Sequence, residues 1–225
     1  MIYAEFLAVL EPYRDAHYAR FHQKLLADTS QTVLGVRTPI MRKIAKSALG
    51  YLDELFTFPD TYYEVTFIKL TAVSFLDFSN FLRWIDVCVP LIENWAACDC
   101  FKPKCLKNHR EEFLPYIEKY FNMHTEFSER YALVTLLNYY VEERYFPLIK
   151  KYVFAANTQR YYVYMAVAWL IAEILAKDYE FGVSLLQSEK IDEKTRNKAI
   201  QKARESFRID EKKKEFLHSL KIKNK

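Results

Sequence analysis

The sequence predicts an all-α protein, on three observations. Apolar residues recur at helical spacing nearly throughout and seldom alternate as a half-buried strand requires. Only 3 glycines occur in 225 residues, and Gly35, Gly50 and Gly182 stand alone, which leaves little material for hairpin turns. The helical segments are about 10 to 19 residues long with short polar joints, the lengths that stacked helix pairs use. With 51% hydrophobic residues, one domain spanning 1–225 can bury a sizeable core.

Residues 1–26 are helical in pattern and, with those up to about 30, form an N-terminal helical cap. Residues 27–36 read as a loop leading into Arg37-Thr38-Pro39, where Thr38 can cap and Pro39 can open a helix. The next helix covers 62–77, and Phe78-Ser79-Asn80 supplies a cap for the one running toward Val89. Another begins near Leu91 and ends or kinks at Pro103, whose ring cannot sit under the carbonyl of Asp99. Further helices fit 109–121, 125–140, 143–154, 158–176, 179–188 and 192–206. The pairs recur every ~35 to 40 residues, the range of HEAT and armadillo repeats. From about 192 to 225 the chain is a basic helix or tail that includes Lys212-Lys213-Lys214, Lys221, Lys223 and Lys225. Such a run is more often a solvated face than a binding site.

Composition narrows the function classes. Isolated glycines provide neither a phosphate-cradling loop nor a dinucleotide fingerprint. The opening residues lack a cationic segment followed by an apolar block, and no apolar run approaches the roughly 18 residues that span a bilayer. A soluble, cytoplasmic protein without membrane partners is expected. The net charge of +4, from 33 Lys and Arg against 29 Asp and Glu, favours a polyanionic partner only mildly. Cys98, Cys100, Cys105 and His109 invite a metal reading, but their spacing departs from paired zinc knuckles, and free thiols with no metal are expected. The histidines are scattered and form no triad with Ser or Cys.

One pair of residues carries chemistry. Trp95 and Asp99 stand four apart, which places an indole and a carboxylate on one helix face. An aromatic surface beside a fixed negative charge can hold a sugar and stabilise positive charge developing on it. The plainer alternative is a core tryptophan beside a capping or ion-paired aspartate. Arg130 is followed by Leu133, Val134 and Leu137, so its guanidinium lies on or beside an apolar stripe and needs an internal carboxylate or a bound anion. Trp169 shares its face with Met165, Ala166 and Ala172, small enough neighbours for an indole to line a groove or for helices to pack closely.

At these residues the chain resembles the AlkD-type DNA alkylation repair family, the HEAT-like repeat DNA glycosylases. The resemblance runs from Leu34-Gly35-Val36-Arg37-Thr38-Pro39 through 196–208. It is carried best by Trp95-x3-Asp99 with Pro103 beyond, by Arg130-Tyr131-Ala132-Leu133, and by Ala166-Val167-Ala168-Trp169-Leu170. It implies a curved α-solenoid whose concave, basic face holds duplex DNA by its backbone. Asp99 matches the catalytic carboxylate, Trp95 and Trp169 match the two indoles that cradle the deoxyribose, and Arg130 matches the arginine that contacts the DNA backbone. The implied reaction is hydrolysis of the N-glycosidic bond of cationic N3- or N7-alkylated purines, with neither a base-flipping pocket nor a cofactor, by a monomer. The chain departs from the family pattern at Asn94, Ala96 and Ala172, and 24–36 does not resemble the family's DNA-probing N-terminal helix. These departures leave open a second reading of another class, a catalytically silent scaffold that binds nucleic acid weakly or a protein partner on its concave face.

Overall fold

The computed structural model describes residues 1–26 and 29–222. Ala27 and Asp28 of the expected loop, and Lys223 and Lys225 of the basic run, lie outside the described residues. The described residues are helical with no strand among them; one isolated β-bridge pairs Thr32 with Tyr62. No helix among them is long and apolar enough to cross a membrane. The chain forms two compact units, Met1–Glu111 and Glu112–Lys225.

The first unit is built on α1 (Tyr3–Leu10), α2 (Ala16–Leu25), α3 (Thr38–Ser47), α4 (Leu52–Thr57), α5 (Tyr63–Val73), α6 (Phe78–Cys88) and α7 (Trp95–Cys100). The N-terminal stretch is two helices rather than one, because Arg14 and Asp15 are extended and Asp15 caps α2 by accepting from the N–H of Tyr18 at 2.9 Å. Capping differs by one residue at two other sites. Arg37 precedes α3 with Thr38 already helical, and Asp77 caps α6 by accepting from Asn80 N–H at 3.0 Å. The short α4 carries no strong apolar period and was not expected from the sequence.

All eleven residues of α5 are buried, so it is the axis of this unit, with α3, α4, α6 and α7 packed round it. A helix with no polar face must satisfy its charges internally. Glu64 does so by accepting three backbone N–H groups, from Leu34 at 2.9 Å, Gly35 at 2.8 Å and Val36 at 3.2 Å. Burial still pushes its carboxyl above the usual range. Lys69 donates to Phe58 O at 2.6 Å and to Asp60 Oδ2 at 2.9 Å. The loop that Glu64 holds passes so close to α2 that a Cβ on Gly35, at φ +92°, would meet Asp15 O at 2.2 Å. Only glycine fits there.

The second unit holds most of α8 (Arg110–Phe121), then α9 (Glu126–Tyr139), α10 (Phe146–Ala155), α11 (Tyr161–Lys177), α12 (Tyr179–Leu186), α13 (Glu193–Glu205) and α14 (Glu211–Ser219). The basic run is therefore helical over Glu193–Glu205 and Glu211–Ser219. Aspartate opens α12, α13 and α14, each accepting a backbone N–H three residues on, while Thr125 and Ser128 form a reciprocal cap on α9. The long α11 is central and packs against α9, α12 and α13. Gly182 lets α12 approach it, since a Cβ there would lie 2.6 Å from the side chain of Leu175.

Candidate functional site

The Trp95–Asp99 pair sits on a helix of six residues. So short a helix forms only where its ends and buried side are fixed. Asn94 fixes the start by accepting from Ala97 N–H at 2.9 Å, which gives a physical role to the position where the family resemblance expected tryptophan. Phe101 N–H closes the last turn on Ala97 O at 3.1 Å, and the helix ends before Pro103. Ala96, Ala97 and Cys98 face the core, while Trp95, Asp99 and Cys100 are half-buried. The expected i,i+4 face exists, and it is the side of α7 not consumed by packing.

Asp99 borders a concavity of about 370 Å³ lined by Arg42, Thr71, Ser74, Phe75, Asp99, Cys100, Lys102 and Lys104. The floor comes from the C-terminal end of α5, which sets it on the core of the unit. Arg42 from α3, with Lys102 and Lys104 on either side of Pro103, makes the rim cationic; all three are exposed. The arrangement suits a ligand that is anionic at its periphery and gains positive charge at its centre. Burial pushes the Cys100 thiol up, with Arg42 beside it pulling the other way, so the thiol is a neutral wall rather than a nucleophile.

Trp95 is braced rather than loose, its indole Nε1 donating to the carbonyl of Leu25 at the end of α2 at 3.0 Å. The half-exposed ring therefore serves packing against the end of α2. A wider hollow of about 620 Å³ along α2, lined by residues such as Arg20, Phe21 and Lys24, has no carboxylate among the described residues of its wall. Cys98 is buried and Cys105 is half-buried, its thiol pushed up by burial to about 11. Among the described residues no group of three or more His, Cys, Asp or Glu could hold a metal ion.

In the second unit, Arg130 is 5% exposed, on a helix buried all round from Ser128 to Leu136 rather than along one stripe. It donates from Nη1 to the backbone carbonyl of Tyr162 at 2.7 Å, and its guanidinium lies 5.9 Å from that ring's centroid. A main-chain oxygen thus meets part of the need that the sequence assigned to a carboxylate or an anion. Glu126 accepts the N–H of the same Tyr162 at 2.6 Å, so side chains one turn apart on α9 grip one residue of α11 from both sides. Glu129, 2% exposed, accepts from Asn157 N–H at 2.6 Å and pairs with Arg160 at 3.3 Å.

Trp169 is half-buried on α11. The half-buried residues of this helix are Tyr162, Met165, Trp169, Glu173 and Ala176, spaced three or four apart, a single stripe between neighbours that cover the rest. Met165 shares the stripe as expected. Ala166 and Ala172 do not; they are buried, because α9, α12 and α13 close on both sides of the stripe. Trp169 thus lies on the partly exposed stripe of α11 rather than wholly in its core.

Sequence reasoning did not find Arg42, Lys102, Lys104, Glu64 or Glu126. The lysines flanking Pro103 were the visible signal for two of these. The others depend on contacts between distant elements.

A family model described as DNA alkylation repair enzyme matches residues 2–207. Comparison with curated proteins gave no match.

Proposed function

The chain belongs to the DNA alkylation repair enzyme family, and from that membership we propose that it is a monofunctional glycosylase acting on N3- or N7-alkylated purines in duplex DNA. The observation that carries the reading is Asp99, a carboxylate in a concavity whose rim is otherwise cationic. An alkylated purine bears a positive charge and leaves its sugar readily, so the enzyme's task is to stabilise the oxocarbenium-like deoxyribose and direct water to it. Asp99 supplies the negative charge for the first and an acceptor that orients water for the second. Water adds its oxygen to the anomeric carbon, the base departs with the bonding pair, and the surplus proton passes to solvent.

Arg42, Lys102 and Lys104 meet backbone phosphates on either side of the sugar. In the first unit Trp95 offers a flat apolar face to deoxyribose; in the second unit Trp169 offers an aromatic face to nucleic acid, and Arg130 adds positive potential next to its stripe.

The deciding experiment incubates the purified protein with a duplex carrying one N7-methylguanine and cleaves abasic sites with alkali. Strand scission under single-turnover conditions is expected. Intact strands together with measurable duplex binding would replace the glycosylase with the DNA-binding scaffold.

A further inference from the structure

Phe207 is 104% exposed, against 54% for Phe21 and Tyr161. An isolated exposed phenylalanine is costly to keep in water, and a mobile one would be unremarkable. The residues beside Phe207 are fixed. Arg208 makes a bidentate pair with Glu173, at 2.6 and 2.7 Å, and its N–H donates to Ser206 Oγ at 3.2 Å. Ile209 is buried, and Asp210 caps α14. The turn between α13 and α14 is thus anchored on both sides of a ring that projects into solvent.

The anchor lies on the α11 stripe. Glu173 is one turn beyond Trp169 on the same face, a rise of about 6 Å along the helix. The Arg208 clamp therefore extends the half-exposed row of Tyr162, Met165 and Trp169 with a third aromatic from another element. Its surroundings are basic, with six Lys and Arg against three Asp and Glu between 202 and 214. A rigid, projecting aromatic among cations matches the chemistry by which proteins enter destacked base steps while gripping the flanking phosphates.

We propose that Phe207 is a stacking wedge, which inserts its ring into a weakened base step of duplex DNA near the nucleotide that meets Trp169. The inference rests on the proposed function and names a contact that this reading does not contain. A wedge strengthens binding only where stacking is already loosened, as beside an abasic site, and fully paired DNA opposes it. Because it acts by stacking, its removal leaves the count of phosphate contacts unchanged.

The test uses Phe207→Ala and Phe207→Trp in the full chain, with dissociation constants measured by fluorescence anisotropy on a fully paired duplex and on the same duplex with one abasic site, across a salt series. Phe207→Ala is expected to weaken binding to the abasic duplex roughly tenfold, to change the paired duplex little, and to keep the salt slope; Phe207→Trp is expected to bind as the wild type does. Thermal melts verify folding, which a fully exposed side chain does not support. Equal binding of the Ala variant and wild type to the abasic duplex overturns the wedge and leaves Phe207 to a protein partner. Equal weakening on both duplexes with a changed salt slope overturns it too, since Phe207 would then only order nearby cations. Failure of the wild type to bind either duplex removes the parent reading and the wedge with it.

Discussion

Arg130 donates to the carbonyl of Tyr162 at 2.7 Å while Glu126, one turn earlier on α9, accepts the N–H of the same residue at 2.6 Å. The first turn of α11 is thereby held by two charged side chains, a carboxylate on an orphan donor and a guanidinium on a carbonyl. Arg130→Ala is expected to lower unfolding stability by about 2 kcal/mol, the cost of losing a charged hydrogen bond in a buried place. The same variant is expected to flatten the salt dependence of duplex binding by about one unit, equally for damaged and undamaged DNA. Denaturant titration and anisotropy separate the two effects. An unchanged slope beside the stability loss would confine Arg130 to holding α11.

Replacing the Asp99 carboxylate by a neutral isostere isolates its charge. Asp99→Asn is expected to lower the single-turnover excision rate by roughly two to three orders of magnitude, the range for losing one preorganised electrostatic group. Binding of undamaged duplex should hold or tighten, because the variant removes a negative charge from the wall that Arg42, Lys102 and Lys104 also line. Excision at the wild-type rate by the Asn variant would remove Asp99 from the chemistry.

The rim cations make a separable prediction. Arg42, Lys102 and Lys104 are exposed, so alanine at each should leave the melting temperature unchanged. Each is expected to reduce the slope of log affinity against log salt by about one, and the double variant Lys102→Ala/Lys104→Ala by about two. The salt series also tests the site's position. Variants with wild-type slopes would show that phosphates pass elsewhere.

A pH effect should appear in α2. His22 is 7% exposed, with its ring 5.2 Å from Tyr18 and 4.9 Å from Tyr63, and burial lowers its pKa from the usual 6.5. The unfolded chain therefore takes up this proton first, so its contribution to stability is complete above the ordinary histidine value and is lost as pH falls through the lowered folded value. Glu64, pushed up by burial, works in the opposite sense above its own ordinary value of 4.5. The difference between wild type and His22→Phe isolates the histidine. Denaturant melts from pH 7.5 to 5 should show a flatter profile for the variant, and parallel profiles would refute the assignment.

What the sequence made legible was local. The Trp95–Asp99 face follows from helical geometry over four residues, and Pro103 limits that helix by its own ring. Asn94 was also readable in principle, as a good cap ahead of Ala97, but the comparison with a tryptophan at that position drew attention to the loss of an aromatic. The all-helical content followed from periodicity because long helices repeat the signal several times. The pocket was not legible, since Arg42 and Asp99 line one concavity only through the packing of α3 and α7 around α5. The three N–H groups that hold Glu64 lie about thirty residues before it in the chain, and no spacing rule reaches that far. Arg130 shows the converse. Its need for a partner was readable, while the part of that need met by the main-chain oxygen of Tyr162 depended on how α11 lay across α9.

The burial of α5 on every side constrains how such a pocket can diversify. Thr71 and Ser74 form its floor from a helix that has no solvent face, so replacing a floor residue disturbs the core of the whole unit and would be penalised as misfolding before it altered selectivity. The exposed rim carries no such penalty. A lineage that changed its preferred lesion, or gave up excision altogether, would therefore record that history at positions 42, 102 and 104 while the floor stayed fixed, and the rim is where directed evolution of this chain should begin.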